Sequence, residues 1–187
     1  VIYTLWVDLL AGVAAGKTFV NFWTKRIYSG QIIAAGGDIP HSSWNVSEGA
    51  TKKKRQPLRD FQQPLGLQGI APKLHKQVAH DNHIGFVTFQ ICVALYKTGG
   101  CMSIGHPACP KNTLPLSVSL WDLPLVELLK SCRPQVDFFE FDQCVTHRTR
   151  KRPTGLLLLR MPSLMSHIKC LGLGGFCDHI GGHPVVF

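Results

Sequence analysis

Acidic residues are scarce in this chain: 11 Asp and Glu face 20 Lys and Arg, for a formal net charge of +9. That imbalance points to a polyanionic partner, nucleic acid or an anionic surface. Charged residues as a whole make up only 17% against 45% hydrophobic, which excludes a disordered chain. Long apolar runs are missing too. Asp8 and Lys17 interrupt the greasy residues 1–23, and no run reaches the roughly 18 residues that a membrane helix needs. No basic segment precedes that stretch, which argues against a signal peptide. The seven cysteines are odd in number and irregularly spaced, which argues against a secreted disulfide scaffold and for an intracellular, reducing compartment. No initiator Met is present, so a fragment or a processed product is expected. There is no internal repeat, and 187 residues suit a single domain with a real core.

What is present alternates between strand and helix patterns. Residues 1–10 read as a strand and 19–28 as a helix. Residues 32–35 read as a short buried strand, after which Gly36, Gly37 and Pro40 are expected to turn the chain into the polar cluster His41, Ser42, Ser43, Trp44 and Asn45. Residues 48–72 hold the run Lys52, Lys53, Lys54, Arg55 and several prolines and glycines, and read as an exposed irregular loop. Residues 74–96 carry a 3.6 period and form the longest expected helix. A strand over 101–104, a loop over 105–110, a helix over 120–129 and a strand over 135–141 follow. A basic loop over 144–153, a buried strand over 156–159 and a short helix over 161–168 complete the pattern. The fold expected is α/β: a Rossmann-like, mostly parallel sheet with flanking helices in one domain over residues 1–187. Ligands of such sheets bind at the carboxyl ends of the strands, which singles out the loop at His41.

Residues 11–18 match a loose P-loop, in which Gly16, Lys17 and Thr18 would hold phosphates and Mg²⁺. Ala11 stands where glycine is usual, and neither Asp38 nor residues 140–142 make a convincing Mg²⁺ partner. A strand-to-helix turn with a chance match is preferred, and no tight ATP binding is expected. The same stretch also reads D-L-L-A-G-x-x-x-G from Asp8 through Gly12 to Gly16.

In that form it resembles the D-L-F-A-G-x-G-G cofactor loop of cytosine-5 DNA methyltransferases. The resemblance continues in order along the chain. IPHSSWNVS at 39–47 is similar to their G-P-P-C-S-S-W-S loop, and PLRDFQQPLGLQG at 57–69 to the segment that follows it in divergent relatives. Residues 105–124 resemble their E-N-P…S-x-x-W-x-x-P stretch, with His106 and Pro107 at the N-P positions. Residues 136–154 resemble their strand and basic R-K-P-T loop, and the tail from Lys169 resembles their R-C-x-G…H-x-H segment. The resemblance implies S-adenosylmethionine as cofactor near Asp8, Gly12 and Gly16, and DNA as partner. It also implies a catalytic residue at position 41.

Two departures bear on activity. The family's Cys thiolate attacks C6 of a flipped cytosine and its Glu protonates N3, whereas here those positions hold His41 and Gly105. Imidazole is a poor stand-in for a soft thiolate, and glycine supplies no proton. The chain therefore reads as a degenerate or truncated relative, inactive as it stands. Ser42, Ser43 and Trp44, with the basic residues Arg148, Arg150, Lys151 and Arg152, are the expected nucleic-acid contacts. Two Cys/His groups are candidate zinc ligands: Cys170, Cys177, His179 and His183, and Cys101, His106 and Cys109. Their spacing departs from the usual one, and no metal is expected. Two other classes stand beside this reading: a P-loop nucleotide-binding protein, and a non-catalytic subunit of a larger protein assembly.

Overall fold

A computed structural model of the chain describes residues 16–44, 58–108, 118–142 and 153–164. Helix α1 (Gly16–Tyr28) leads to strand β1 (Ala34–Asp38). Helix α2 (Pro72–Thr98) then returns the chain to β2 (Cys101–Pro107). A 3₁₀ turn at Leu120–Asp122 and helix α3 (Pro124–Lys130) precede the hairpin of β3 (Val136–Asp142) and β4 (Pro153–Leu159). The four strands form one mixed sheet in the order β1-β2-β4-β3. β1 pairs in parallel with β2, while β4 runs antiparallel to both β2 and β3. The unit is thus a small α/β domain with a partly parallel sheet.

Local chemistry sets the element boundaries. Pro72 starts α2, where a missing N–H costs nothing, and Gly99 ends it in the left-handed region at φ 80°. Val78, Ile84, Val87, Cys92 and Leu95 of α2 are buried, and Cys92 and Leu95 share the core with the sheet residues Met102, Ile104 and Leu157. Leu157, Leu158 and Leu159 are each fully buried, as expected of an inner strand covered on both faces. Trp121, Phe89 and Val126 fill the same core. Among the described residues no helix is long and apolar enough to cross a membrane.

Several sequence expectations are corrected. The strand expected at 32–35 begins instead at Ala34 and runs through Gly36 and Gly37, because its ladder with β2 extends from Ala34↔Cys101 to Asp38↔Gly105. It is also the sheet's edge among the described residues, and alternate residues are exposed rather than buried. The sheet is not mostly parallel: two of its three pairings are antiparallel. Residues 143–152 are too few for the crossover of a dozen or more residues that a parallel return requires, so β4 folds back as a hairpin arm. Gly105, His106 and Pro107 belong to β2 rather than to a loop, held by the β4 register out to Pro107↔Thr154. The helix expected over 120–129 is split at Leu123, which is extended (φ −67°, ψ 140°), as the residue before a proline prefers. Residues 162–164 are helical. The expected strand at 1–10 lies outside the described residues.

Candidate functional site

β1, β2 and β3 run in one direction, so Asp38, Pro107 and Asp142 end at the same edge of the sheet. The loop leaving β1 is folded tightly there, with the Trp44 amide donating to the His41 carbonyl at 3.0 Å. Asp81 of α2, only 2% exposed, fixes it from below. Its Oδ2 accepts from Ser42 Oγ (3.0 Å), the Ser43 amide (2.9 Å) and Ser43 Oγ (2.6 Å). His80 Nδ1 lies 3.4 Å from the other carboxylate oxygen.

A second charge is buried beside the first. Arg59, also 2% exposed, donates from Nε to the Ser43 carbonyl (3.2 Å) and from Nη2 to Ser43 Oγ (2.7 Å). Its Nη1 donates to the Pro64 carbonyl (2.9 Å) and to Asn82 Oδ1 (2.7 Å). The guanidinium also sits 3.6 Å above the Trp44 ring, a cation–π contact strengthened by exclusion of water. Burial pulls the Arg59 pKa down to about 10, with Asp81 opposing it, so the side chain stays charged at neutral pH. The Ser43 hydroxyl donates to the carboxylate and accepts from the guanidinium, linking the two buried charges.

His106 completes the floor. It is 5% exposed, with the edges of Trp44 (6.2 Å) and Trp121 (5.9 Å) on its two sides. The Pro107 carbonyl is an acceptor only, so the 3.1 Å contact places the His106 proton on Nδ1. Trp121 Nε1 donates to the same carbonyl at 3.0 Å. His106 Nε2 is left as a buried acceptor with no partner, and Trp44 Nε1 as a buried donor with none. Burial is the main force that lowers the His106 pKa from 6.5 to about 4. The Pro107 hydrogen bond and Asp81 oppose the shift, and His41 and Arg59 add to it. His41 and His106 therefore stand close enough to feel one another's charge.

The sign of the acid response follows. Between about pH 6.5 and pH 4 the unfolded chain takes up a proton at His106 that the folded chain refuses. Stability is then unaffected above pH 6.5 and falls as pH drops toward 4, by about 3 kcal/mol for a shift of this size. His106→Phe should flatten that part of a urea-midpoint profile; an unchanged acid slope would show that His106 does not cause it.

The expected contact residues divide into three groups. Ser42 is exposed at the surface of the loop, but Ser43 and Trp44 are buried at 5% and 4%, occupied with Asp81 and Arg59. In this arrangement Trp44 supports the site from within and presents no face for a base to stack on. Arg148, Arg150, Lys151 and Arg152 lie outside the described residues, as do Asp8 and Gly12. The flanking positions Asp142 and Pro153 are register partners at the site's end of the sheet. Gly16, Lys17 and Thr18 open helix α1. Cys101 and His106 lie at opposite ends of β2, roughly 16 Å apart at strand rise. Among the described residues no group of three or more Cys, His, Asp or Glu is arranged to hold a metal. The Cys170 group lies outside them. Cys92 is no nucleophile either, since burial, and then Cys132, pushes its thiol up to about 12.

Sequence reasoning missed Arg59 and Asp81, and considered Asp38 only as a Mg²⁺ partner. Asp81 did carry a signal. It falls on the buried stripe Val78, Asp81, Gly85, Thr88, where an acid implies a buried partner. Asp38 is the register partner of Gly105, and its carboxylate stands where a side chain at position 105 would begin. No family model matches the chain, and no curated protein or solved structure is detectably similar to it.

Proposed function

We propose that the chain is a degenerate cytosine-5 DNA methyltransferase-like domain that grips nucleic acid at the carboxyl end of its sheet and does not form a covalent adduct with it. One observation carries this reading. The segments at 39–47 and 105–124, matched to the family separately and far apart in sequence, meet at one place. There Trp44 packs on His106, and His41 lies within electrostatic reach of it. The flanks of the basic segment 143–152 end beside them. The finer description, Rossmann-like, rests on the parallel unit β1–α2–β2 at the core of this arrangement. S-adenosylmethionine would supply a methyl group near Asp8, Gly12 and Gly16, and the nucleic-acid grip involves no step through it.

His41 offers no thiolate, so it does not add to C6 of a pyrimidine at a useful rate. Duplex DNA carrying 5-fluorocytosine should therefore bind without being trapped in a denaturation-resistant adduct. Affinity should fall steeply between about 50 and 200 mM salt, because Arg148, Arg150, Lys151 and Arg152 would release counterions from phosphates. Gel shift in parallel with denaturing electrophoresis tests both points. A trapped adduct would restore catalysis, and absence of binding at low salt would remove the nucleic-acid role.

A second reading has its own support. The edge strand β1 and the exposed Ile33, Phe22 and Tyr28 suit a subunit that docks onto a larger assembly. It predicts co-purification in a stable complex and no DNA affinity.

A further inference from the structure

Helix α2 starts at the same end of the sheet, since it carries the chain back from the end of β1 to the start of β2. Its first three turns place Lys73, Lys76, His80 and His83 at spacings of three, four and three residues, which puts them in one stripe. At 1.5 Å per residue the stripe is roughly 15 Å long. Lys73 and Lys76 are exposed, His80 is 39% exposed and His83 is half-buried. Lys73 and Lys76 repel one another at this spacing, and the first turn holds no acid to offset them. Asp81, the one carboxylate in α2, is buried with Ser42 and Ser43, and its other oxygen lies 3.4 Å from His80 Nδ1.

We infer that this stripe is a second nucleic-acid contact, on which phosphates of one strand run along α2. This rests on the nucleic-acid reading above and adds to it a surface that the family resemblance does not supply. Duplex DNA carries one charge per about 1.7 Å of axis, so a 15 Å stripe faces several phosphates. An anionic membrane fits less well. An interfacial helix needs a broad apolar face toward lipid, and the apolar face of α2 is spent on the protein core.

The test is fluorescence anisotropy with a labelled duplex, on the full chain, over a salt series at pH 8. Lys73→Gln/Lys76→Gln should lower the slope of log affinity against log salt by about 2, at roughly 0.9 per lost contact. Circular dichroism of the variant establishes that the helix is intact. If wild type binds DNA and the folded variant keeps its slope, the stripe is wrong and the nucleic-acid reading stands. If wild type binds no DNA at low salt, both fall. Binding to phosphatidylserine vesicles in place of DNA overturns the stripe's assignment in favour of a lipid surface.

Discussion

Arg59→Ala is expected to cost about 3–5 kcal/mol of stability, the range seen when one member of a buried charge pair is removed. The guanidinium is 2% exposed and hydrogen-bonds the Ser43 and Pro64 carbonyls, Ser43 Oγ and Asn82 Oδ1. Truncation leaves those acceptors dry, strips the cation from the Trp44 face and leaves the Asp81 carboxylate buried without its counter-charge. Arg59→Lys keeps the charge but cannot span the fork, so it should recover less than half of the loss. Arg59→Met combined with Asp81→Asn should be milder than Arg59→Ala, because no buried charge is then left alone. Urea denaturation of the three variants decides. A loss below about 1 kcal/mol for Arg59→Ala would mean that Arg59 is solvated in solution.

Gly155→Ala should have a comparable effect from the opposite side of the site. Gly155 pairs with His106 across β2 and β4, and the Trp121 indole occupies the space that a side chain at 155 would need. An added methyl would come within 2.6 Å of Trp121 Cε2 and 3.0 Å of Cδ1, and nothing there can yield cheaply. Trp121 is 1% exposed, tied to the Pro107 carbonyl and packed on Phe138 at 5.0 Å. Overpacking of a core costs roughly 1–3 kcal/mol and more where the neighbour is pinned, so about 3 kcal/mol is expected. The thermal midpoint and near-ultraviolet dichroism of tryptophan should both change. A variant with the wild-type midpoint would show that Trp121 swings away freely.

The long helix α2 was legible because its caps and period agree: proline at the start, glycine at the end, an apolar stripe between. The leucines of β4 were legible because a continuous apolar run between turn signals fits a strand buried on both faces. β1 was misplaced because its residues carry almost no side-chain signal. The pairs Ala34↔Cys101 and Gly37↔Ile104 are set by β2, a partner nearly seventy residues away. The direction of the hairpin arm was not legible, because alternation with helices says nothing about the direction of the last strand. At the site, His41 and His106 were flagged by motif, and their proximity follows from the parallel ladder. Arg59 was hidden because an arginine in a proline-rich polar stretch is ordinarily solvated. Only the three-dimensional meeting of Asp81, Ser43 and Trp44 gives it a buried place.

The Ser43 amide is a single proton that reports on the whole arrangement. It donates to a carboxylate that is itself held by two hydroxyls and faces a guanidinium reaching from another segment. That amide cannot exchange with solvent deuterium unless the loop after β1, the segment around Arg59 and the start of α2 part company. Its exchange rate therefore measures how often the floor of the site opens in the folded protein, a motion to which static affinity measurements are blind.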